Sequence, residues 1–118
     1  MEKILIIDSK ISKDLLAKLV DRYFKDMVKY VVDVRRRVIA IGGELHADAE
    51  QLLFEKGSSQ KDIWGANYYP GKGQNDCIEF TALINIRPSQ GNPGMEVMDN
   101  RIRENIKQIT YKLTLFRV

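Results

Sequence analysis

With Cys77 as its only cysteine, the sequence can form no intrachain disulfide, so no framework of bridges holds the fold. A lone thiol also suits a reducing compartment. His46 is the only histidine, which excludes the zinc-protease spacing His-Glu-x-x-His, and no cysteine cluster stands in for it. Long apolar runs are missing too: no stretch approaches the roughly 18 residues of a membrane span. The apolar start, Ile4-Leu5-Ile6-Ile7, is too short for the central region of a signal peptide. Charge of one sign is scarce in excess, because 19 basic and 16 acidic side chains leave a net +3. That balance does not by itself call for nucleic acid. Glycine-rich phosphate loops and a serine nucleophile elbow are likewise missing. The expectation is a cytoplasmic protein with no membrane segment.

What is present fits one folded unit. A chain of 118 residues lies within single-domain size, and a hydrophobic content of 44% supplies a core without staples. Residues 1–118 read as a single domain, with no linker or internal repeat.

Ile4 to Ile7 reads as a buried strand ending at Asp8-Ser9. Ser12 offers a cap to a helix whose Leu15, Leu16, Leu19, Val20 and Tyr23 recur at helical spacing. Val28 to Val34 and Val38 to Ile41 are rich in β-branched residues and read as a hairpin, with Arg35-Arg36-Arg37 at its tip. That tip lacks the Asn-Gly of a tight turn. A second helix runs from His46 to Lys56, stopped by Gly57. Asp62 to Tyr69 and Cys77 to Arg87 read as two strands around a turn-rich loop, the second the clearest in the chain. A hairpin centred on Gly73 sets Trp64, Ala66 and Tyr68 on the apolar face and Asn67 on the polar one. Asp99 caps a final helix lined by Ile102, Ile106, Ile109, Leu113 and Phe116. The expected fold is α+β: a mostly antiparallel sheet of about five strands built from hairpins, with three helices packed mainly on one face.

Two segments carry candidate chemistry. In Glu44-Leu45-His46-Ala47-Asp48-Ala49-Glu50, His46 and Glu50 stand one helical turn apart and are the candidate catalytic pair. The bland reading is that acids at a helix start answer the helix dipole. In Asn85-Ile86-Arg87-Pro88-Ser89-Gln90-Gly91-Asn92, Asn85, Arg87, Gln90 and Asn92 are candidate ligand-binding residues, joined by Asn67. The Arg87 fork suits a carboxylate or phosphate. Here the bland reading is a loop held by its own side chains, with Arg87 pairing with Glu79. Trp64 and Tyr68 read as core rather than a stacking platform, and Arg35 to Arg37 as a solvated tip.

These motifs, Glu44 to Glu50, Trp64-Gly65-Ala66-Asn67 and Ile84 to Asn92, resemble a small prokaryotic family of single-domain proteins catalogued as a domain of unknown function. The likeness runs from Met27 to the final helix and departs from the family around Arg35 to Arg37 and Pro93 to Met95. It implies a family and no chemistry.

Three functions remain open from the residues. The first is a small-ligand site, anionic or metal-assisted and binding or enzymatic, formed where the Glu44–Glu50 helix start meets the Asn85–Asn92 strand end. The second is a non-catalytic assembly module, with a homodimer formed through an exposed sheet face or edge. Weak nucleic-acid binding through Arg35 to Arg37 is the disfavoured third. The residues specify no cofactor and no metal identity.

Overall fold

Ser12 ends an extended segment, and its Oγ accepts a hydrogen bond from the Leu15 amide at 3.2 Å, so a helix begins at Lys13. Similar local signals set the other elements in the computed structural model, which describes residues 4–114. In chain order these are β1 (Ile4–Ile7), α1 (Lys13–Tyr23), β2 (Val28–Asp33), β3 (Val38–Gly42), α2 (His46–Glu55), β4 (Ile63–Tyr68), β5 (Ile78–Glu79) and α3 (Asn100–Thr114). Short 3₁₀ turns lie at Gln60–Asp62, Leu83–Asn85 and Pro88–Gln90. Among the described residues the strands form one sheet, ordered β1-β3-β2-β4-β5, with every neighbouring pair antiparallel. The fold is α+β.

Alternating side chains divide the core between the two faces of this sheet. Tyr30, Val32, Ile39, Ile41, Trp64 and Ala66 share one face with Leu16 and Leu19 of α1 and Ile106 and Ile109 of α3. Val31, Ala40 and Ile63 point the other way, against Ala49 and Leu53 of α2. Two helices thus share a face, and α2 covers the other. The reason lies in β2 and β3, where apolar residues follow one another without alternation and both faces need a cover.

The β2–β3 hairpin turns without Asn-Gly because a buried carboxylate organises it. Asp33 Oδ1 accepts from the Arg35 and Arg36 amides at 3.0 and 2.9 Å, and Asp33 Oδ2 accepts from Ser58 Oγ at 2.6 Å. Arg37 then takes a left-handed φ of 59°. Gly57 has the positive φ of 99° expected of a helix stop. Asp99 Oδ1 accepts from the Arg101 and Ile102 amides and so caps α3. Phe116, expected on the face of that helix, lies outside the described residues.

The β4–β5 register pairs Asn67 with Glu79 and Tyr68 with Ile78, which centres the hairpin on Gly73 as expected. The strand expected over Cys77 to Arg87 is different: pairing stops at Glu79, and the chain turns through 3₁₀ geometry at Leu83–Asn85. Alternation is lost with it, because Asn85 is fully buried while Ile86 is 43% exposed. Gly65 explains the departure. A Cβ at Gly65 would stand 2.6 Å from Ala82 Cβ and 3.2 Å from both His46 Cδ2 and Ile84 Cδ1. The bare backbone at Gly65 therefore lets the chain fold over the α2 face of the sheet. Gly65→Ala is expected to lower stability by about 1–3 kcal/mol through overpacking, read by urea denaturation. An unchanged midpoint would mean that Ala82 is not seated there.

Candidate functional site

β4 is the strand on which the candidate residues converge. Its Gly65 N–H and C=O point away from β2 and meet no further strand. Instead Asn85 Oδ1 accepts from the Gly65 amide at 2.8 Å, and Asn85 Nδ2 donates to the Gly65 carbonyl at 2.9 Å. A side-chain amide thus presents the same donor and acceptor as a neighbouring strand. Its Nδ2 also donates to the Met95 carbonyl at 3.0 Å.

Arg87 does similar work two residues along. Its Nη2 donates to the Ile63 carbonyl and its Nη1 to the Gln60 carbonyl and to Gln90 Oε1. The guanidinium carbon lies 4.0 Å from the Trp64 ring centroid, a cation–π stack. Burial lowers the Arg87 pKa, and Glu50 opposes that shift. Glu50 itself is pushed up by burial and held back by Arg87. Asn92 ties the lobe together: its Nδ2 donates to the carbonyls of Asn85, Gly94 and Glu96, and its Oδ1 accepts from the Met98 amide. Gln90 Nε2 donates to the Lys61 carbonyl at 3.2 Å. The hydrogen bonds of Asn85, Arg87, Gln90 and Asn92 thus run to other parts of the chain itself.

His46 and Glu50 diverge along α2. Glu50 faces the field of Arg87, whereas His46 stands over the Gly65–Ala66 backbone. The ring Nε2 lies 2.9 Å from the Ala66 carbonyl. A carbonyl only accepts, so Nε2 carries the proton and Nδ1 keeps its lone pair. Burial lowers the His46 pKa, more than the Ala66 carbonyl, the Asn67 side chain and Glu79 raise it, and Lys29 adds to the lowering. The resting ring is neutral, and its Nδ1 is a hydrogen-bond acceptor and a potential base.

Asn67 lies beside it on the same face of the sheet. Its Nδ2 donates to Glu79 Oε1 at 2.7 Å, and that oxygen also accepts from Tyr69 Oη at 3.3 Å. The Asn67 side chain is only 7% exposed, and its Oδ1, beside the His46 ring, has no well-aligned hydrogen-bond donor among the described residues. Lys29, Asn67 and Glu79 are registered neighbours across β2, β4 and β5. An open depression of about 510 Å³ adjoins Glu79, lined with it by Tyr69, Lys72, Gly73, Asp76 and Ile78.

The structure therefore groups His46 and Asn67 with Lys29 and Glu79, two residues that the sequence motifs did not single out. Glu79 was legible, since a hairpin centred on Gly73 sets it opposite Asn67. Lys29 was not, because the β2–β4 pairing joins residues far apart in the chain. Of the arginines at the hairpin tip, Arg35 pairs with Asp62 at 3.2 Å and Arg36 donates to Ser58 Oγ. Among the described residues no cluster of three His, Cys, Asp or Glu side chains could hold a metal, and no helix is long and apolar enough to cross a membrane.

The model of a family described as "Protein of unknown function (DUF5674)" matches residues 5–113. No curated protein and no solved structure matches the chain.

Proposed function

Since the chain belongs to this family of proteins of unknown function, we propose that it binds a small polar ligand at the β4–β5 end of the α2 face, with His46 and Asn67 as its contacts. The observation that carries the reading is the buried Asn67 oxygen. A buried carbonyl left without a well-aligned donor costs about 1–3 kcal/mol, and a ligand N–H or O–H that displaces the side chains covering it returns that energy. Beside it, His46 Nδ1 is a second acceptor and a base for acid–base chemistry, so the site prefers a ligand rich in donors. Lys29 stands beside Asn67 and Lys72 lines the depression beside Glu79, so both suit an anionic group on the same molecule, with that depression as the space for its body. Asn85, Arg87, Gln90 and Asn92 serve this site as its frame, and Glu50 tempers the Arg87 charge behind it. Cys77, buried and with its thiol pKa raised by burial, fits a reducing compartment such as the cytoplasm.

The test is a titration of the protein with divalent metals, nucleotides and organic acids, followed by NMR of the His46 ring and the Asn67 side-chain amide. A true ligand moves both sets of signals and, at about 100 times its dissociation constant, adds roughly 2.7 kcal/mol of stability. Binding should also weaken in acid. The folded His46 pKa lies below its ordinary value of 6.5, so protons are taken up more readily by the unfolded chain. The stability linked to His46 is therefore present above about pH 6.5 and lost as pH falls through that value toward the folded pKa. Over the lower part of that range Nδ1 acquires a proton and ceases to accept. Ligands that shift only distant signals, or bind equally well before and after the His46 ring takes up its proton in an NMR pH titration, would overturn the proposal.

A further inference from the structure

The two edges of the sheet are finished differently. Beyond β4, where β5 ends, the side chains of Asn85 and Arg87 occupy the ladder positions that an additional strand would take. At the other edge, β1 presents four consecutive aliphatic residues, with no proline and no charge within the strand. Edge strands that avoid association usually carry such devices.

The register shows which β1 groups face outward. In an antiparallel sheet, residues opposite one another point their N–H and C=O either toward each other or both away. Gly65 points away from β2, so its partner Val31 points toward β3 and meets Ala40. Ala40 therefore points away from β1, and its partner there, Ile6, directs its N–H and C=O outward. Ile4 does the same by alternation, while Leu5 and Ile7 bond to β3. The Ile6 side chain is 36% exposed on the α2 face, and α2 packs chiefly over β2, β3 and β4. Leu5 and Ile7 are only partly covered by the core on the other face.

From this geometry we propose that β1 pairs antiparallel with β1 of a second copy of the chain, with Ile6 on the two-fold axis. A two-fold perpendicular to the sheet keeps like faces together, so residues of equal parity must stand opposite one another. Centring on Ile6 meets that requirement with the outward groups in register. Ile6 exchanges two hydrogen bonds with its own copy, Ile4 faces the second copy's Asp8, and Leu5 packs against the second copy's Ile7. Leu5, Ile6 and Ile7 then each acquire an aliphatic neighbour, and two five-stranded sheets become one. This edge lies across the sheet from the His46–Asn67 cluster, so the pairing is independent of ligand binding there.

Sedimentation equilibrium tests it. The mass should rise from 13.6 kDa toward twice that value with concentration. Ile6→Pro deletes an outward N–H without touching the β3 ladder, and should raise the dissociation constant at least about tenfold. Ile6→Lys, which sets two like charges on the axis, gives the same loss if the proline variant fails to fold. Ile6→Cys places two thiols in a hydrogen-bonded pair whose Cα atoms are about 5.5 Å apart, within disulfide reach. Added diamide should take up their two electrons and two protons and leave a covalent dimer, while buried Cys77 stays reduced. A monomer at every concentration up to about 1 mM, or a dimer indifferent to both Ile6→Pro and Ile6→Lys, overturns the proposal.

Discussion

Asn85→Leu is expected to cost about 3 kcal/mol or more, because it strands two backbone groups at about 1–3 kcal/mol each and takes one of two donors from a third. The stranded groups are the Gly65 N–H and the Gly65 carbonyl, while the Met95 carbonyl keeps its bond from the Ala82 amide. Asn85 is fully buried, so water cannot replace the amide without opening the lobe. Leucine keeps much of the volume and removes both donor and acceptor, which makes the measured loss a polar one. Asn85→Asp is the sharper comparison. Its carboxylate can still accept from Gly65 N–H, but it cannot donate to either carbonyl and faces both as a buried charge. In a domain of this size a loss of about 3 kcal/mol corresponds to a fall in Tm of roughly 10 °C or more. A Tm within two or three degrees of wild type for both variants would show that another group completes the β4 edge.

Arg87→Leu should be nearly as damaging, at about 3 kcal/mol, since it leaves the Ile63 carbonyl without a donor, takes one of two donors from the Gln60 carbonyl, and removes the plate stacked on Trp64. The informative variant is Arg87→Lys. A lysine keeps the charge, but its single ammonium on a flexible stem cannot span the Gln60 and Ile63 carbonyls together, nor lie flat on the indole. It should recover less than half of the loss in urea denaturation. Full recovery by lysine would mean that Arg87 acts through its charge alone, by way of Glu50, and not through its fork. Asn85 and Arg87 hang on one strand through one lobe, so the double variant should cost less than the sum of the two singles.

The elements legible in the sequence are those fixed by local chemistry. Ser12, Asp99 and Gly57 marked helix ends by capping and by left-handed geometry, and the β4–β5 register followed from the turn around Gly73. Parity then set Trp64, Ala66 and Tyr68 on one face, where they are found packed against α1 and α3. The segment after Glu79 misled for a physical reason. Ile78, Phe80, Ala82, Ile84 and Ile86 alternate as a strand would, but the decisive interactions are long-range: a bare Gly65 that admits Ala82, and a buried amide from Asn85 that takes over the ladder. Alternation cannot register a side chain that imitates a backbone. The second helix-covered face was visible in principle, since Tyr30-Val31-Val32 and Ile39-Ala40-Ile41 run apolar without interruption. At the site, His46 and Asn67 stood out by residue type, while Lys29 joins them only through non-local pairing.

The amide closure at Gly65 also ties a spectroscopic signal to one local event. In most of the sheet, a protected backbone proton exchanges with solvent only when strands separate, which requires much of the domain to open. The Gly65 proton is held by a side chain from a lobe that can lift away while β2 and β4 stay paired. Its exchange rate therefore gauges how often that lobe undocks, separately from global unfolding, and a ligand seated against His46 should slow it first.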